Sequence, residues 1–385
     1  MSNLVLVEGI SGAGKSTAIN FIQSYLSTFN IQSHTFNEPG HMRDEIKKYH
    51  NREDRDLQLE FDHYVLSRKV DLHHKVMPTI KNHPKDTILI DRSWISTMVY
   101  QQTEQCPMIN IRDYHSFYPK HNLALLLICD PETAYQRILK RKETQGIELS
   151  TSENPKRIAE LRKSYIEAFD LVDYSVIINT DGSENAVNCI LKSYMNKLLG
   201  IKEKKIVFLD KDGTLVDNSK YPEVIPTDEI LFADTLEGLY KLKSAGYEFH
   251  MISSQPWVAK GQLSLDQTNE IFESVIEQYK KYGIEFTGYG FCEHHRSDNC
   301  PDKKPNTGLL EQIATQQNID ISQSFFIGDM ESDIECGYNF GLQTGLVTKY
   351  SNAKTIDNLS QQRFKRTPNY TAINLNEIAN QIIEN

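Results

Sequence analysis

The sequence predicts an α/β protein made of two doubly wound parallel-sheet domains. Three observations carry that prediction. At 385 residues the chain is too long for one ordinary domain. It opens on an apolar run, Leu4-Val5-Leu6-Val7, that passes through a glycine-rich loop into helical sequence. A second apolar run, Val207-Phe208-Leu209, ends in Asp210-Lys211-Asp212-Gly213-Thr214. Uniformly apolar strands suit parallel sheets buried on both faces, and chemistry in such sheets sits beyond the carboxyl ends of the strands.

The first domain is expected over residues 1–199. After Leu4–Val7 comes Glu8-Gly9-Ile10-Ser11-Gly12-Ala13-Gly14-Lys15-Ser16-Thr17, a GxxxxGK[ST] loop set between a strand and a helix. Its glycines let backbone N–H groups wrap phosphate oxygens, and the helix N-terminus adds its positive dipole. Gly9, Ser11, Gly12, Ala13, Gly14, Lys15, Ser16 and Thr17 are therefore the expected ATP-binding set. Lys15 would reach the β- and γ-phosphates, and Ser16 would ligate Mg²⁺. Ile88-Leu89-Ile90-Asp91-Arg92 and Leu125-Leu126-Leu127-Ile128-Cys129-Asp130 are further strand exits. Arg137 and Arg141 follow at i, i+4 on one helix face, before a polar stretch, 143–154, that reads as a lid. Phosphoryl transfer needs charge neutralised around the moving group, and Lys15, Arg92, Arg137 and Arg141 supply it.

These residues together resemble the thymidylate-kinase-like nucleoside monophosphate kinases, from residue 1 to about 198. Phe36-Asn37-Glu38-Pro39-Gly40 lies where that family carries Arg-Glu-Pro-Gly. Tyr64 and Arg68 match its aromatic-x-x-x-Arg helix, whose ring stacks on the acceptor base. Asp91-Arg92, then Ser96 and Tyr100-Gln101, keep its spacing. The resemblance implies substrate contacts from Glu38, Tyr64, Arg68 and Arg92, with Lys15, Arg92 and Arg141 catalytic and Arg137 beside the cofactor. Three departures lie on the acceptor side: Ser11 stands where an acid is usual, Asn37 where an arginine is, and Ser93 where an aromatic or histidine follows Asp-Arg. The donor side is intact. ATP use is expected, and the acceptor is left open beyond a nucleotide or related small phosphorylated metabolite.

A helix end at Tyr194–Gly200 and a charged connector, 200–204, lead to a second domain over 205–385. Asp210 and Asp212 would repel unless a cation lay between them, and oxygen ligands favour Mg²⁺. Ser253-Ser254-Gln255 follows the apolar run at His250-Met251-Ile252. Lys303-Lys304-Pro305 precedes a helix-like segment, and Ser324-Phe325-Phe326-Ile327-Gly328-Asp329, with Asp333 beyond, is another strand running into a carboxylate. Residues 262–282 have a helical pattern, with Ile271, Phe272, Val275, Ile276 and Tyr279 on one face. Residues 350–368 read as loop and 373–379 as a closing helix.

The four ordered motifs resemble the haloacid-dehalogenase-like phosphatases with a small cap. That resemblance implies Asp210 as nucleophile and Asp212 as general acid, then base. It implies Ser253 as a phosphate-binding hydroxyl and Lys304 as the neutralising cation, with Lys303 its competitor. Asp210, Asp212, Asp329 and Asp333 would surround Mg²⁺, and Ser254 and Lys303 would touch substrate. Ser253-Ser254-Gln255 and Val258-Ala259-Lys260-Gly261 are similar to the heptose-bisphosphate and histidinol-phosphate branch. Its zinc loop, Cys-x-His then Cys-x-Cys, resembles Cys292-Glu293-His294 and Cys300-Pro301-Asp302. A structural Zn²⁺ on Cys292, His294, Cys300 and Asp302 is implied, with His295 the alternative fourth ligand.

Composition narrows the partners. Net charge is −10 and uneven: residues 1–200 carry 24 Lys and Arg against 25 Asp and Glu, the remainder 18 against 27. An acidic second half is a poor match for polyanionic nucleic acid. No eighteen-residue apolar run suggests a membrane span, no signal peptide is read, and six cysteines do not suggest a disulfide framework. A cytoplasmic bifunctional enzyme on small phosphorylated molecules is expected, of unstated oligomeric state. The alternative is a polynucleotide 5′-kinase/3′-phosphatase acting in nucleic-acid end repair.

Overall fold

The computed structural model describes residues 2–37, 57–104, 106–146, 153–217 and 231–384. The chain divides into two compact units, Met1–Asp181 and Gly182–Asn385.

In the first unit the described strands are β1 (Asn3–Gly9), β2 (Ser33–Asn37), β3 (Thr87–Asp91), β4 (Leu123–Ile128) and β5 (Ser175–Asn179). The helices are α1 (Lys15–Ser27), α2 (Leu57–Asp71), α3 (Met77–Asn82), α4 (Trp94–Gln101), α5 (Met108–Tyr114), α6 (Pro131–Gln145) and α7 (Pro155–Phe169). The strands form one parallel sheet in the order β2-β3-β1-β4-β5. Leu4–Val7, Ile88–Ile90 and Leu123–Leu127 are buried along their whole length, because helices cover both faces. Strand order reverses direction on either side of β1, which makes its carboxyl end a switch point where a crevice opens. Val7 pairs in register with Asp91, so the exits of β1 and β3 lie side by side.

The second unit comprises α8 (Glu184–Leu199), β6 (Lys205–Leu209), α9 (Ala233–Ser244), β7 (Tyr247–Ser254), α10 (Leu265–Lys281), β8 (Phe286–Cys292), α11 (Gly308–Gln316), β9 (Phe325–Gly328), α12 (Glu331–Asn339), β10 (Gln343–Val347), α13 (Ala353–Ser360), β11 (Tyr370–Ala372) and α14 (Leu375–Glu384). Its sheet is also parallel, in the order β11-β10-β9-β6-β7-β8. β6 occupies the switch point, with β9 on one side and β7 on the other. The expected helix over 262–282 is α10, opened by a Ser264/Gln267 capping box and burying Ile271, Phe272, Val275 and Tyr279.

Two elements differ from the sequence reading. α8, expected to close the first domain, belongs to the second unit: the Ser193 hydroxyl accepts from the Ile321 N–H at 3.1 Å, Lys192 donates to the Ala314 carbonyl at 3.1 Å, and Asn196 donates to Glu203 at 3.0 Å. The strong stop at Gly200 marked a helix end, and a helix end is not a domain boundary. The polar stretch 350–368 contains α13, capped by the Asn352 side chain on the Thr355 N–H at 2.9 Å. At eight residues it is too short for an apolar pattern to repeat along the chain. In the first unit α6 runs to Gln145, inside the expected lid, whose residues 147–152 fall outside the described residues. The segment 218–230, between the first two phosphatase-type motifs, also falls outside them.

Candidate active sites

In the first unit β1 exits through the glycine loop. Gly9 has φ 144°, and a Cβ there would lie 2.3 Å from the Leu127 carbonyl oxygen; at Gly12, φ 82°, it would lie 2.4 Å from that of Ala134. Only glycine fits either approach. Lys15, the first residue of α1, donates to the carbonyls of Gly9 at 2.8 Å and Ile10 at 3.0 Å. Burial, reinforced by Arg92 and opposed by Asp91 and Glu8, holds its ammonium down to about 7. Ala13 is buried, Ser11 and Gly14 are half-buried, and Ser16 and Thr17 are exposed at the start of α1. Arg137 lies along the loop, donating to Thr180 O at 2.7 Å, Thr180 Oγ1 at 3.2 Å and Gly12 O at 3.4 Å. Arg141, one turn on, is exposed, and its charge reaches Lys15.

The sequence reading gave Asp91 no role. Its Oδ1 is buried without a hydrogen-bond partner, and its charge acts on Lys15. An unsatisfied buried carboxylate oxygen beside a phosphate-binding loop fits a hard divalent cation. The signal was present: a carboxylate ending an apolar strand.

Beside the loop, Glu8 is fully buried and accepts from the Ser93 N–H at 2.5 Å, the Ser93 hydroxyl at 2.8 Å and the Ser96 hydroxyl at 2.7 Å. Burial pushes its carboxyl up despite those bonds. Arg92, at φ 67°, donates to the phenol oxygens of Tyr100 at 3.2 Å and Tyr165 at 3.1 Å. Arg68 is only 1% exposed and donates to Thr97 Oγ1 at 2.9 Å and to the Arg92 carbonyl at 2.9 Å. The structure thus places Arg68 behind Arg92 as its prop. Tyr64, one turn earlier on α2, is half-buried. Ser93, the departure after Asp-Arg, caps α4 and ties it to Glu8. Asn37 is exposed at the end of β2, and Glu38 lies outside the described residues.

In the second unit the exits of β6, β9 and the loop before α11 converge. Lys304, buried, donates to Asp210 Oδ1, lies 2.5 Å from Asp333 Oδ1 and donates to the Ile252 carbonyl at 3.3 Å. Oxygens of Asp210, Asp329 and Asp333 all lie within 4.8 Å of one another. Burial pushes Asp210 up to about 7 and Asp329 up to about 9; the other carboxylates add to the rise and Lys304 opposes it. Asp329 Oδ1 has no hydrogen-bond partner. When ionised, three carboxylates against one ammonium leave a net charge of about −2, which one Mg²⁺ would balance. Gly213, at φ 83°, makes room for this: a Cβ there would sit 2.7 Å from Asp329 Oδ2.

Asp212 was expected among the metal ligands, but its side chain stands outside that cluster. Its Oδ1 is 2.5 Å from Lys211 Nζ, and its Oδ2 accepts from Gln255 at 2.7 Å. Gln255 also donates to the buried Ser253 hydroxyl at 3.0 Å. Lys211 is fully buried, its ammonium 5.7 Å from the centre of the Phe272 ring. Lys211 and Gln255 are the residues here whose roles the sequence reading missed; a lysine between two aspartates at a buried strand end was the available signal. Lys303 donates to the His294 carbonyl at 3.1 Å, so Lys304 alone of the two reaches Asp210. A cleft of about 600 Å³ adjoins, lined by Ser254, Lys303, Lys304, Glu331, Glu335 and Lys354 among others.

In the loop after β8, donor atoms of Cys292, His294 and Cys300 lie within 4.8 Å of one another. Asp302, expected as the fourth ligand, is outside this group and accepts from Gln312 of α11 at 3.0 Å. His295, the alternative, caps the turn at 296–298 with Nδ1 3.0 Å from Ser297 Oγ.

These two strand-end sites define a class: an enzyme that handles phosphate groups, with a phosphate-cradling loop in one unit and an aspartate-centred phosphatase site in the other. Family comparisons sharpen it. The thymidylate kinase family matches residues 7–190, and the HAD-hydrolase-like family matches 302–378. The D-glycero-beta-D-manno-heptose-1,7-bisphosphate 7-phosphatase of Pasteurella multocida is 31% identical over 169 residues, covering 42% of this chain and 90% of that protein. The histidine biosynthesis bifunctional protein HisB of Campylobacter jejuni is 35% identical over 142 residues, covering 36% of this chain and 40% of HisB. The chain thus spans well under half the length of HisB. A crystal structure of D,D-heptose 1,7-bisphosphate phosphatase from B. bronchiseptica aligns at TM-score 0.41 and 22% identity, over 47% of this chain and 98% of that one. The chain belongs to the haloacid-dehalogenase-like phosphatases of the heptose-bisphosphate branch, and its N-terminal residues 7–190 match the thymidylate kinase family.

Proposed function

We propose that the chain is a bifunctional enzyme. One activity transfers a phosphoryl group from ATP to a nucleotide or related small phosphorylated metabolite; the other hydrolyses a phosphomonoester through an aspartyl phosphate. The first is assigned to the domain read from the sequence as 1–199 and the second to 205–385, with 200–204 between; α8, at the end of the first span, packs with the second unit. The observation that carries the reading is Lys304 between Asp210 and Asp333, with the unpartnered Asp329 oxygen beside them.

In the phosphatase step the Asp210 carboxylate attacks phosphorus while Asp212 gives its proton to the departing alkoxide. Asp212 then takes a proton from water, whose oxygen attacks the same phosphorus and frees Asp210. Lys304 offsets negative charge on Asp210, and Ser253 and Ser254 present hydroxyls to the phosphate. Mg²⁺ held by Asp210, Asp329 and Asp333 would supply electrostatic stabilisation of the transferring group. Lys303 and Lys354 line the cleft together with Glu331 and Glu335, and Glu335 is paired with Lys365. A substrate with a second anionic group matches that cleft, and the relatives include a bisphosphate phosphatase.

In the kinase step Lys15 turns from its own loop carbonyls to the donor phosphates, Arg92 faces the acceptor and Arg141 adds charge from α6. Asp91 and Ser16 would hold Mg²⁺. Cys292, His294 and Cys300 would hold a structural Zn²⁺. A cytoplasmic setting is part of this reading. All six cysteines are free, and no described helix is long and apolar enough to cross a membrane.

The test is a substrate panel on the full chain and two variants. Asp210→Asn should abolish phosphate release yet keep transfer from ATP, and Lys15→Ala should do the reverse. Phosphate release that survives in Asp210→Asn would remove the proposed nucleophile. Transfer to a 5′-hydroxyl oligonucleotide, in preference to nucleoside monophosphates, would replace the small-molecule reading with end repair.

A further inference from the structure

We propose that His34, His83 and Asp86 form a binding site for a divalent transition-metal ion at the opposite end of the first sheet from its phosphate loop. His34 is the second residue of β2, His83 ends α3, and Asp86 directly precedes β3. A strand of five residues, about 16 Å, separates this cluster from the carboxyl ends of those strands.

The donor geometry suits an ion. Asp86 Oδ2 lies 2.8 Å from His34 Nε2 and 3.3 Å from His83 Nδ1. The two imidazole rings are 4.7 Å apart, and one donor atom from each of the three residues falls within a 4.8 Å sphere of separations. An ion bonded tetrahedrally to nitrogen and oxygen sets its ligands about 3.3 Å apart. The His83–Asp86 separation already matches that value, and the His34–Asp86 pair, hydrogen-bonded at 2.8 Å, needs to open by about 0.5 Å to admit an ion.

The backbone under the cluster is fastened on several sides. The Asp86 N–H donates to the His83 carbonyl at 3.1 Å, closing the turn that carries both residues. Asn3 N–H donates to the Asp86 carbonyl at 3.2 Å, and Thr87 N–H to the Gln32 carbonyl at 2.9 Å, tying the turn to β1 and β2. Ser2 Oγ donates to the His83 carbonyl at 2.6 Å. Ligands on such a frame lose little freedom when an ion binds.

Chemistry selects the ion. Two imidazoles with one carboxylate favour Zn²⁺, Co²⁺, Ni²⁺ or Cu²⁺ over Mg²⁺ or Ca²⁺, which prefer all-oxygen shells. The side chains are 28%, 46% and 16% exposed, so an ion here keeps open positions for water. It would cross-link β2, which among the described strands pairs with β3 alone, to the α3–β3 turn. The site is independent of both catalytic assignments.

The experiment uses the full chain in a Cys292→Ser/Cys300→Ser background, with Mg²⁺ in excess, so that thiolate and carboxylate sites do not compete. Zn²⁺ is titrated against a chromophoric chelator. One equivalent should bind and raise the melting temperature, and His34→Ala or His83→Gln should each weaken binding by about 10-fold or more. Cu²⁺ in the same protein should give an electron paramagnetic resonance spectrum with coupling from two nitrogens. His83→Gln alters a half-exposed turn residue, so it remains informative if His34→Ala fails to fold. Zinc affinity unchanged in His83→Gln, no bound zinc, or copper with fewer than two nitrogens would overturn the site.

Discussion

Lys15 carries its charge at a cost that a nucleotide would remove. Burial, then Arg92, hold its ammonium down to about 7 from an ordinary value of 10.5. Donor phosphates favour the protonated form, so the bound state keeps a proton that the free protein sheds as pH rises through about 7. Binding therefore takes up a proton above that pH, and ATP affinity falls as pH increases from 7 toward 9. Calorimetry in buffers of different ionisation enthalpy reads this directly; heats independent of buffer at pH 8 would contradict it. Lys211 makes the second argument at this scale. Its buried ammonium and Gln255 grip the two oxygens of Asp212. Lys211→Met should lower phosphatase kcat by about 10-fold or more with KM little changed, since Asp212 acts on the leaving group rather than on binding. A rise in KM alone would mean that Lys211 serves substrate binding instead.

Both sites are strand ends, and each strand end depends on a glycine. At Gly213 the φ of 83° and the 2.7 Å approach to Asp329 leave no room for a methyl group. Gly213→Ala should cost about 1–3 kcal/mol in stability and most phosphatase activity, because either the turn or Asp329 must move. Denaturant unfolding together with phosphate release measures both; a variant with full activity would show that Asp329 is not held against the turn. Helices were read less evenly than strands. α10 repeats its apolar face over 17 residues, whereas α13 has eight, with Ile356 and Leu359 as its large apolar residues. A periodic signal needs several turns to stand out, and α13 has about two.

Each unit has a parallel sheet whose central strand exits into its site, β1 in one and β6 in the other. The two proposed active sites offer oxygen ligands suited to hard divalent cations, whereas the cysteine loop and the His34–His83–Asp86 cluster offer sulfur and nitrogen ligands suited to transition metals. Chelation by EDTA should abolish both activities, and Mg²⁺ should restore both. Metal analysis of the purified chain should find zinc that is reduced by Cys292→Ser together with Cys300→Ser. Zinc content unchanged in that double variant would remove the loop site.

Local sequence sufficed for the two parallel-sheet units, the order of their motifs and most of the residues that stand at the two strand ends. These features are local: an apolar strand, the turn that ends it and the residue just beyond are contiguous in the chain. Tertiary structure alone decided which groups share a site. It put Lys304 rather than Lys303 on Asp210, drew Asp212 out of the carboxylate cluster into the grip of Lys211 and Gln255, sent Asp302 to Gln312, and set Arg68 behind Arg92. It also joined α8 to the second unit and brought His34 to Asp86 across 52 residues. Spacing along a chain says which residues leave a given strand end, but the direction each side chain takes follows from burial and charge contributed by distant segments.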